Sequence, residues 1–137
     1  KKTPRRVLLV HHKKFDRWMP PGGHQEVDEN PHESAIRETQ EETGIDIRPY
    51  LSKPKSIDGR AVSLPLPNFL LEEQIDAHKE QPSHYHLDMI YIVSVPYQKV
   101  ARQEGESHSI GWFTREECVS LNTFENVQIL LRSILSE

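Results

Sequence analysis

The chain has 137 residues, carries a net charge of −4 and contains a single cysteine. That length suits one domain with a single core, the scattered basic residues leave no footprint for a nucleic-acid polymer or an anionic membrane, and lone Cys118 excludes an internal disulfide. No stretch approaches the roughly 18 apolar residues of a membrane helix, so a soluble, cytoplasmic protein is expected, in which any phosphorylated partner is met by a local device.

The N-terminus KKTPRRVLLVHHKK has the basic lead of a secretory signal, but its apolar run VLLV is too short for one and reads as a buried strand over Val7–Val10. The chain opens at Lys1 instead of methionine, which leaves a first strand truncated at its N-terminus as an open reading. HHKKFDR reads as a polar turn leading to Trp18. The PPGG run at 20–23 then forces a sharp turn, where backbone can approach a ligand closely. Asn30, Pro31 and Glu33 stand as N-cap, first and third helical residues, and Gly44 as the residue just past the helix end, which bounds a helix of about three turns.

The proline- and charge-rich stretch from Tyr50 to Ser83 predicts a long connection with at most short strands. HLDMIYIVSV, His86 to Val95, gives the strongest strand signal, and SIGWF after the polar turn QEGES gives another. Thr114 caps a short helix, REECVSL. In the last segment Val127, Leu130, Leu131, Ile134 and Leu135 recur at helical spacing, which predicts a helix packing one face on a sheet. Strands mixed with two substantial helices imply an α/β sandwich in one domain. Cys118 reads as a half-buried core thiol.

The helix after the glycines is chemically odd. Glu38, Glu41 and Glu42 lie at i, i+3 and i+4, so their carboxylates share one face. Ala35, Ile36 and Thr39 supply the packing side. Like charges at such spacings cost about 0.2–0.5 kcal/mol per pair, and anions in the last turn forfeit roughly 0.3–1 kcal/mol each against the helix dipole. Arg37, four residues before Glu41, is the helix's own nearby counter-charge. A solvated acidic face is one reading. The other is a functional site, since broken local rules without compensation in sequence mark such sites. A divalent cation would compensate: carboxylates are hard oxygen ligands, and Mg²⁺ is typically held by a few of them together with waters and substrate phosphates.

Gly23, Glu29, Arg37, Glu38, Glu41, Glu42, Gly44 and Ile45 occupy fixed spacings that resemble the Nudix box, G-x5-E-x7-R-E-U-x-E-E-x-G-U with U a bulky aliphatic. Thr39 departs from the aliphatic expected there. Thr has the shape of Val and a hydroxyl that can bond back one turn, so the departure touches packing and not chemistry. The resemblance implies a Nudix-like α/β/α sandwich with a mixed β-sheet as a single domain over 1–137. It further implies hydrolysis of a diphosphate bond in a nucleoside diphosphate linked to another moiety, with Mg²⁺ or Mn²⁺. Carried over by position, Glu41, Glu42 and the Gly22 carbonyl would hold metal. Glu38 would bind metal or act on water, and Arg37 with Glu29 would pin the loop to the helix. A catalytic base outside the box would be Glu104 or Glu106, with Glu106 favoured by its distance from Trp112.

His84, His86 and Asp88 alternate along a strand and so face one way. A transition-metal site, a polar pocket wall reached by substrate and an exposed strand face all remain open for them. His24 follows the glycine pair and is placed near the phosphates; Lys14 and Arg17, with Lys13, are further phosphate candidates against a reading as solubilising charge. Trp18, Phe69, Tyr85 and Trp112 are stacking candidates for a base, or core. The partner expected is a small nucleoside diphosphate derivative, and a homodimer is left open. Two other readings stand beside the hydrolase. One is a sensing Nudix domain that binds a nucleotide such as ADP-ribose without turnover, against which the complete set of box carboxylates speaks. The other is the family's isomerase branch, which would need Cys118 near the box.

Overall fold

The computed structural model describes residues 3–101 and 107–136. Strand β1 (Val7–His12) lies between β2 (Arg17–Met19) and β7 (Ser107–Phe113), antiparallel to both. Along β1 successive side chains point to opposite faces, and the helices divide accordingly. Leu9 packs with Cys118, Leu131 and Leu135, from α2 (Arg115–Val119), α3 (Glu125–Ile134) and the residue closing α3. Leu8 instead faces α1 (Pro31–Thr43), whose Ile36 joins Ile45, Ile47 and Trp112. Helices on both faces of the β1 sheet make the α/β/α layering expected from the sequence. Emptying either face is costly, since Leu131→Ala removes about 2–5 kcal/mol.

The helix boundaries follow their local signals. Asn30 precedes α1, its N–H donating to Glu33 Oε1 at 2.8 Å, and Gly44 ends the helix in the left-handed region at φ 77°. Thr114 Oγ1 accepts from Glu117 N at 3.3 Å at the start of α2, a helix shorter than REECVSL. The α3 face is the expected one, with Leu131 and Leu135 buried. The back-bonded hydroxyl in α1 is that of Thr43, which donates to the Thr39 carbonyl at 2.6 Å.

The strands depart from the sequence expectation in three places. β1 runs on to His12, and Arg17–Met19 forms β2 where only a turn leading to Trp18 is expected; the reversal is tight, with Asp16 at φ 51°. The connection from Tyr50 to Ser83 contains the two-residue pair β3 (Lys55–Ser56) and β4 (Val62–Ser63), and also a seven-residue strand, β5 (Phe69–Ile75). FLLEEQI alternates half-buried and exposed positions, the period-2 pattern of a strand. Its partner β6 (His84–Ile90) starts before His86 and stops before Val95. The pairing runs from Phe69 opposite Ile90 to Ile75 opposite His84. Beyond Ile90 the ladder lacks a partner because Pro65 and Pro67 have no N–H to give. Asn68 closes it, donating its N–H to the Ile90 carbonyl at 2.7 Å and accepting from Ile92 N on Oδ1 at 2.8 Å. All strand pairings among the described residues are antiparallel. Among the described residues no helix is long and apolar enough to cross a membrane.

Candidate active site

Loop 20–29 folds back on α1, and Arg37 is the pin. Its Nε donates to Glu29 Oε2 at 2.6 Å, its Nη2 to Glu29 Oε1 at 3.0 Å and to the His24 carbonyl at 3.2 Å. The forked guanidinium meets the Glu29 carboxylate at two points, the geometry that makes Arg–carboxylate pairs strong and directional. The remaining nitrogen, Nη1, donates to Glu38 Oε1 at 2.9 Å and to Glu41 Oε2 at 3.2 Å. Glu29 also accepts from Glu26 N at 3.0 Å and from Gln25 through its carbonyl. The Arg37 hydrogen bond, followed by that of the Glu26 N–H, holds the Glu29 carboxyl below the usual carboxylate value. Arg37 in turn is held above its already high value, first by Glu29.

Arg37 therefore answers much of the charge problem that the sequence poses. One cation reaches three box carboxylates, and Glu26 at 3.8 Å adds a fourth acid that the motif does not specify. The loop approaches the helix closely as well. Gly22 N donates to Glu42 Oε2 at 2.8 Å. A Cβ on Gly23 would lie 2.6 Å from Glu38 Oε1, closer than real contacts allow, so any other residue there would push the Glu38 carboxylate aside.

The three helix glutamates share a face but not an environment. Glu42 is 4% exposed, the Glu38 side chain 12% and the Glu41 side chain 46%. Glu41 borders an open groove with Glu33, Ile36, Gln40 and Arg48. Among the described residues no three His, Cys, Asp or Glu side chains converge on one cation-sized point. The donor chemistry nevertheless fits Mg²⁺ or Mn²⁺: acidic oxygens on one helix face, beside a glycine cradle with no side chain to block it.

The remaining expected residues separate into two groups. His24 stands edge-on to His86, ring centres 5.3 Å apart, and His84 Nε2 is 3.1 Å from His86 Nε2, so the loop and β6 meet at the histidines. Burial above all lowers the His86 pKa, with Lys14 adding to that and Asp88 opposing it, so both side chains bear on the same ring. Arg17 is engaged elsewhere: it donates to the Phe15 and Asp16 carbonyls and lies 5.3 Å over Phe124. Of the aromatic candidates, Trp18 packs on Phe113 toward α2 and α3, and Trp112 lies in the α1 core and donates to the Gln98 carbonyl at 3.3 Å. Cys118 is 3% exposed in the core on the sheet face away from α1, which removes it from any shared chemistry with the box. Burial, with Glu117 nearby, pushes its thiol up. Glu104 and Glu106 lie outside the described residues. Sequence reasoning misses Glu73, half-buried opposite His86: FLLEEQI has no clean apolar–polar alternation and lies within a stretch whose prolines and charges suggest a loop, so only the burial pattern of the paired strand reveals it.

Comparisons with known proteins agree with one another. Over 37 residues, 27% of this chain and 22% of that protein, the sequence is 54% identical to the asymmetrical bis(5'-nucleosyl)-tetraphosphatase of Rattus norvegicus. The match thus spans about a fifth of that curated relative. A crystal structure of a NUDIX-family hydrolase from Clostridium perfringens superposes with a TM-score of 0.72 at 28% identity, covering 96% of this chain and 88% of the other. The fold is shared too with a C. elegans Ap4A hydrolase binary complex, TM-score 0.56 at 21% identity, covering 94% and 83%. The family model described as NUDIX domain matches residues 2–132, and by that near-complete match the chain belongs to the Nudix family.

Proposed function

We propose that the protein hydrolyses a phosphoric anhydride bond in a nucleoside diphosphate linked to another moiety, by attack of water on phosphorus. The observation that carries this reading is the closure of Gly22 and Gly23 over Glu42 and Glu38, with Arg37 fastening both loop and helix. Such a closure costs conformational freedom and crowds acids, and a phosphate-cleaving site gives both a use.

Glu38, Glu41, Glu42 and the Gly22 carbonyl would hold Mg²⁺ or Mn²⁺, which when bound neutralises phosphate oxygens and lowers the pKa of the attacking water. Arg37 acts as a positioning residue, fixing Glu38 and Glu41 against the loop. A carboxylate within hydrogen-bond reach of the water takes its proton. Glu38 can do so from inside the box and Glu106 from outside it. Glu38→Gln and Glu106→Gln made separately decide between them: loss of the base lowers kcat on the order of 10²–10⁴-fold while substrate affinity is kept. His24, Lys14, His86 and Asp88 form the substrate-facing wall in this reading, and Arg17 is left to its turn.

The short match to a dinucleoside tetraphosphatase makes dinucleoside polyphosphates the first substrates to try. A panel of these, with nucleotide sugars, NAD-like compounds and nucleoside triphosphates, is incubated with Mg²⁺ and products are identified. Cleavage between phosphorus atoms of at least one compound, strongly reduced in Glu41→Gln, is the expected result. Complete inactivity with retained nucleotide binding would overturn the proposal in favour of a sensing domain.

A further inference from the structure

The inward face of the β5–β6 hairpin carries a titratable row that the box chemistry leaves unused. His84, His86 and Asp88 alternate along β6, Glu73 stands opposite His86, and all four are half-buried. The two imidazoles are joined, Nε2 to Nε2, at 3.1 Å, and His84 Nδ1 lies 2.9 Å from the Pro82 carbonyl. A carbonyl can only accept, so His84 Nδ1 carries the proton. In the neutral ring His84 Nε2 is then a lone pair, and the proton between the rings belongs to His86 Nε2. The lone pair of neutral His86 is therefore on Nδ1. The anchored chain from Pro82 through His84 to His86 leaves one place on the pair for an added proton.

The groups that bear on this place come from every neighbouring element. Lys14 lies in the β1–β2 turn, His24 in the glycine loop, His84 and Asp88 on β6, and Glu73 on β5. Burial first, then His84, His24 and Lys14, lower the His86 pKa from 6.5, with Asp88 opposing, so the ring is neutral near pH 7 without ligand. Burial and the adjacent Asp88 push the Glu73 carboxyl up to about 7, which limits the negative charge on the acidic side of the row.

We propose that His86, backed by His84, is a proton-coupled phosphate contact: a bridging phosphate of the substrate's polyphosphate chain docks on the ring, and His86 takes one proton from solvent as it binds. The proton goes to Nδ1, which becomes a donor to the phosphate oxygen while Nε2–H stays on His84; no bond to phosphorus forms or breaks at this residue. The proposal rests on the nucleotide reading above and assigns a residue pair to specificity for chain phosphates. Its signature has a definite sign. Phosphate raises the His86 pKa above its depressed free value, so between the free and bound values binding takes up a proton and weakens as pH rises, by about one decade per unit. Below the free value the dependence vanishes.

Diadenosine tetraphosphate is a suitable probe because its phosphates are all internal and do not titrate near neutrality. Steady-state KM and kcat are measured from pH 6 to 8.5 at saturating Mg²⁺ for the parent protein, His86→Asn, His84→Asn and Glu73→Gln. The parent KM is expected to rise about tenfold per pH unit over part of that range while kcat keeps its own profile. His86→Asn flattens the rise and increases KM at pH 6.5 about ten- to a hundredfold, the scale of one charge-assisted hydrogen bond. His84→Asn weakens binding less, and Glu73→Gln retains the slope. A pH-independent parent KM, a slope surviving in His86→Asn, or a slope lost only in Glu73→Gln would each overturn the proposal and leave the hydrolase reading intact. Stoichiometric zinc or nickel in the purified parent, lost in both histidine variants, would overturn it in favour of a metal site. If the probe is bound but not cleaved, the hydrolase reading is decided by the rest of the substrate panel; calorimetry in buffers of different ionisation heat then counts the proton directly, with close to one expected near pH 7 and none overturning the coupling.

Discussion

The glycine loop with α1 and the β5–β6 hairpin both concentrate titratable side chains, and they relieve the crowding in opposite ways. In the first, one arginine forks between loop and helix and reaches Glu29, Glu38 and Glu41 together. In the second, the row meets mainly itself: histidine bonds to histidine, and Glu73 shifts upward beside Asp88. Acids held by a fixed cation keep their places. Groups that share protons with one another change charge when a ligand arrives. The difference suggests a division of labour in which the helix presents carboxylates held in place and the hairpin adjusts to the substrate.

The strongest way to break this contrast is to remove charge from the helix. Glu41→Gln is expected to lower kcat/KM on the order of 10²–10³-fold, as removal of a preorganised electrostatic group does, with thermal stability little changed because Glu41 is the most exposed of the three helix acids. Gly23→Ala attacks the same geometry without touching a charge. Its Cβ would displace the Glu38 carboxylate, and a loss of about 10–100-fold in kcat/KM is expected, the range for supporting groups around a metal. Full activity in Gly23→Ala would mean that the close approach at Glu38 has no part in turnover.

Arg37→Lys sharpens the contrast from the side of stability. Lysine keeps the charge but cannot fork between Glu29 and the helix acids. A fall in Tm of roughly 2–6 °C is expected, modest because the arginine side chain is 24% exposed and partly screened. An unchanged Tm would show that charge alone pins the loop.

The two regions also differ in how far the sequence discloses them. Asn30, Pro31 and Gly44 are local signals, so the limits of α1 can be read without tertiary information, and the face shared by Glu38, Glu41 and Glu42 follows from spacing alone. The hairpin is different. Phe69–Ile75 lies in a stretch whose prolines argue for a loop, and only pairing with His84–Ile90 makes it a strand. That pairing also decides where β6 ends, since Pro65 and Pro67 offer no donors to Tyr91 and beyond. Spacing places His84 and His86 on one side of a strand but gives no hint of Glu73 across from them. Nor does it reveal how widely Arg37 reaches, because Glu26 and the His24 carbonyl come to it through a loop.

Acid provides a smaller test. Because the folded-state pKa of Glu29 is depressed below the usual 4.5, its contribution to stability is fully present above that value and is lost as pH falls through the depressed one. Tm measured between pH 6 and pH 3 should fall more steeply in the parent protein than in Glu29→Gln; parallel curves would contradict the pairing. The smallest effect is expected far from both regions. Cys118→Ala should cost about 1 kcal/mol of stability and leave kcat within twofold, as suits a thiol enclosed by Leu9, Leu131 and Leu135.

Manganese binding followed by electron paramagnetic resonance, with and without diadenosine tetraphosphate, tests most directly whether the glutamate face of α1 is a cation site. Bound Mn²⁺ is expected in the parent protein, tightened by the nucleotide and lost or sharply weakened in Glu41→Gln and Glu42→Gln. Unbound Mn²⁺ in the parent protein with nucleotide present, or binding equally strong in both variants, would contradict it.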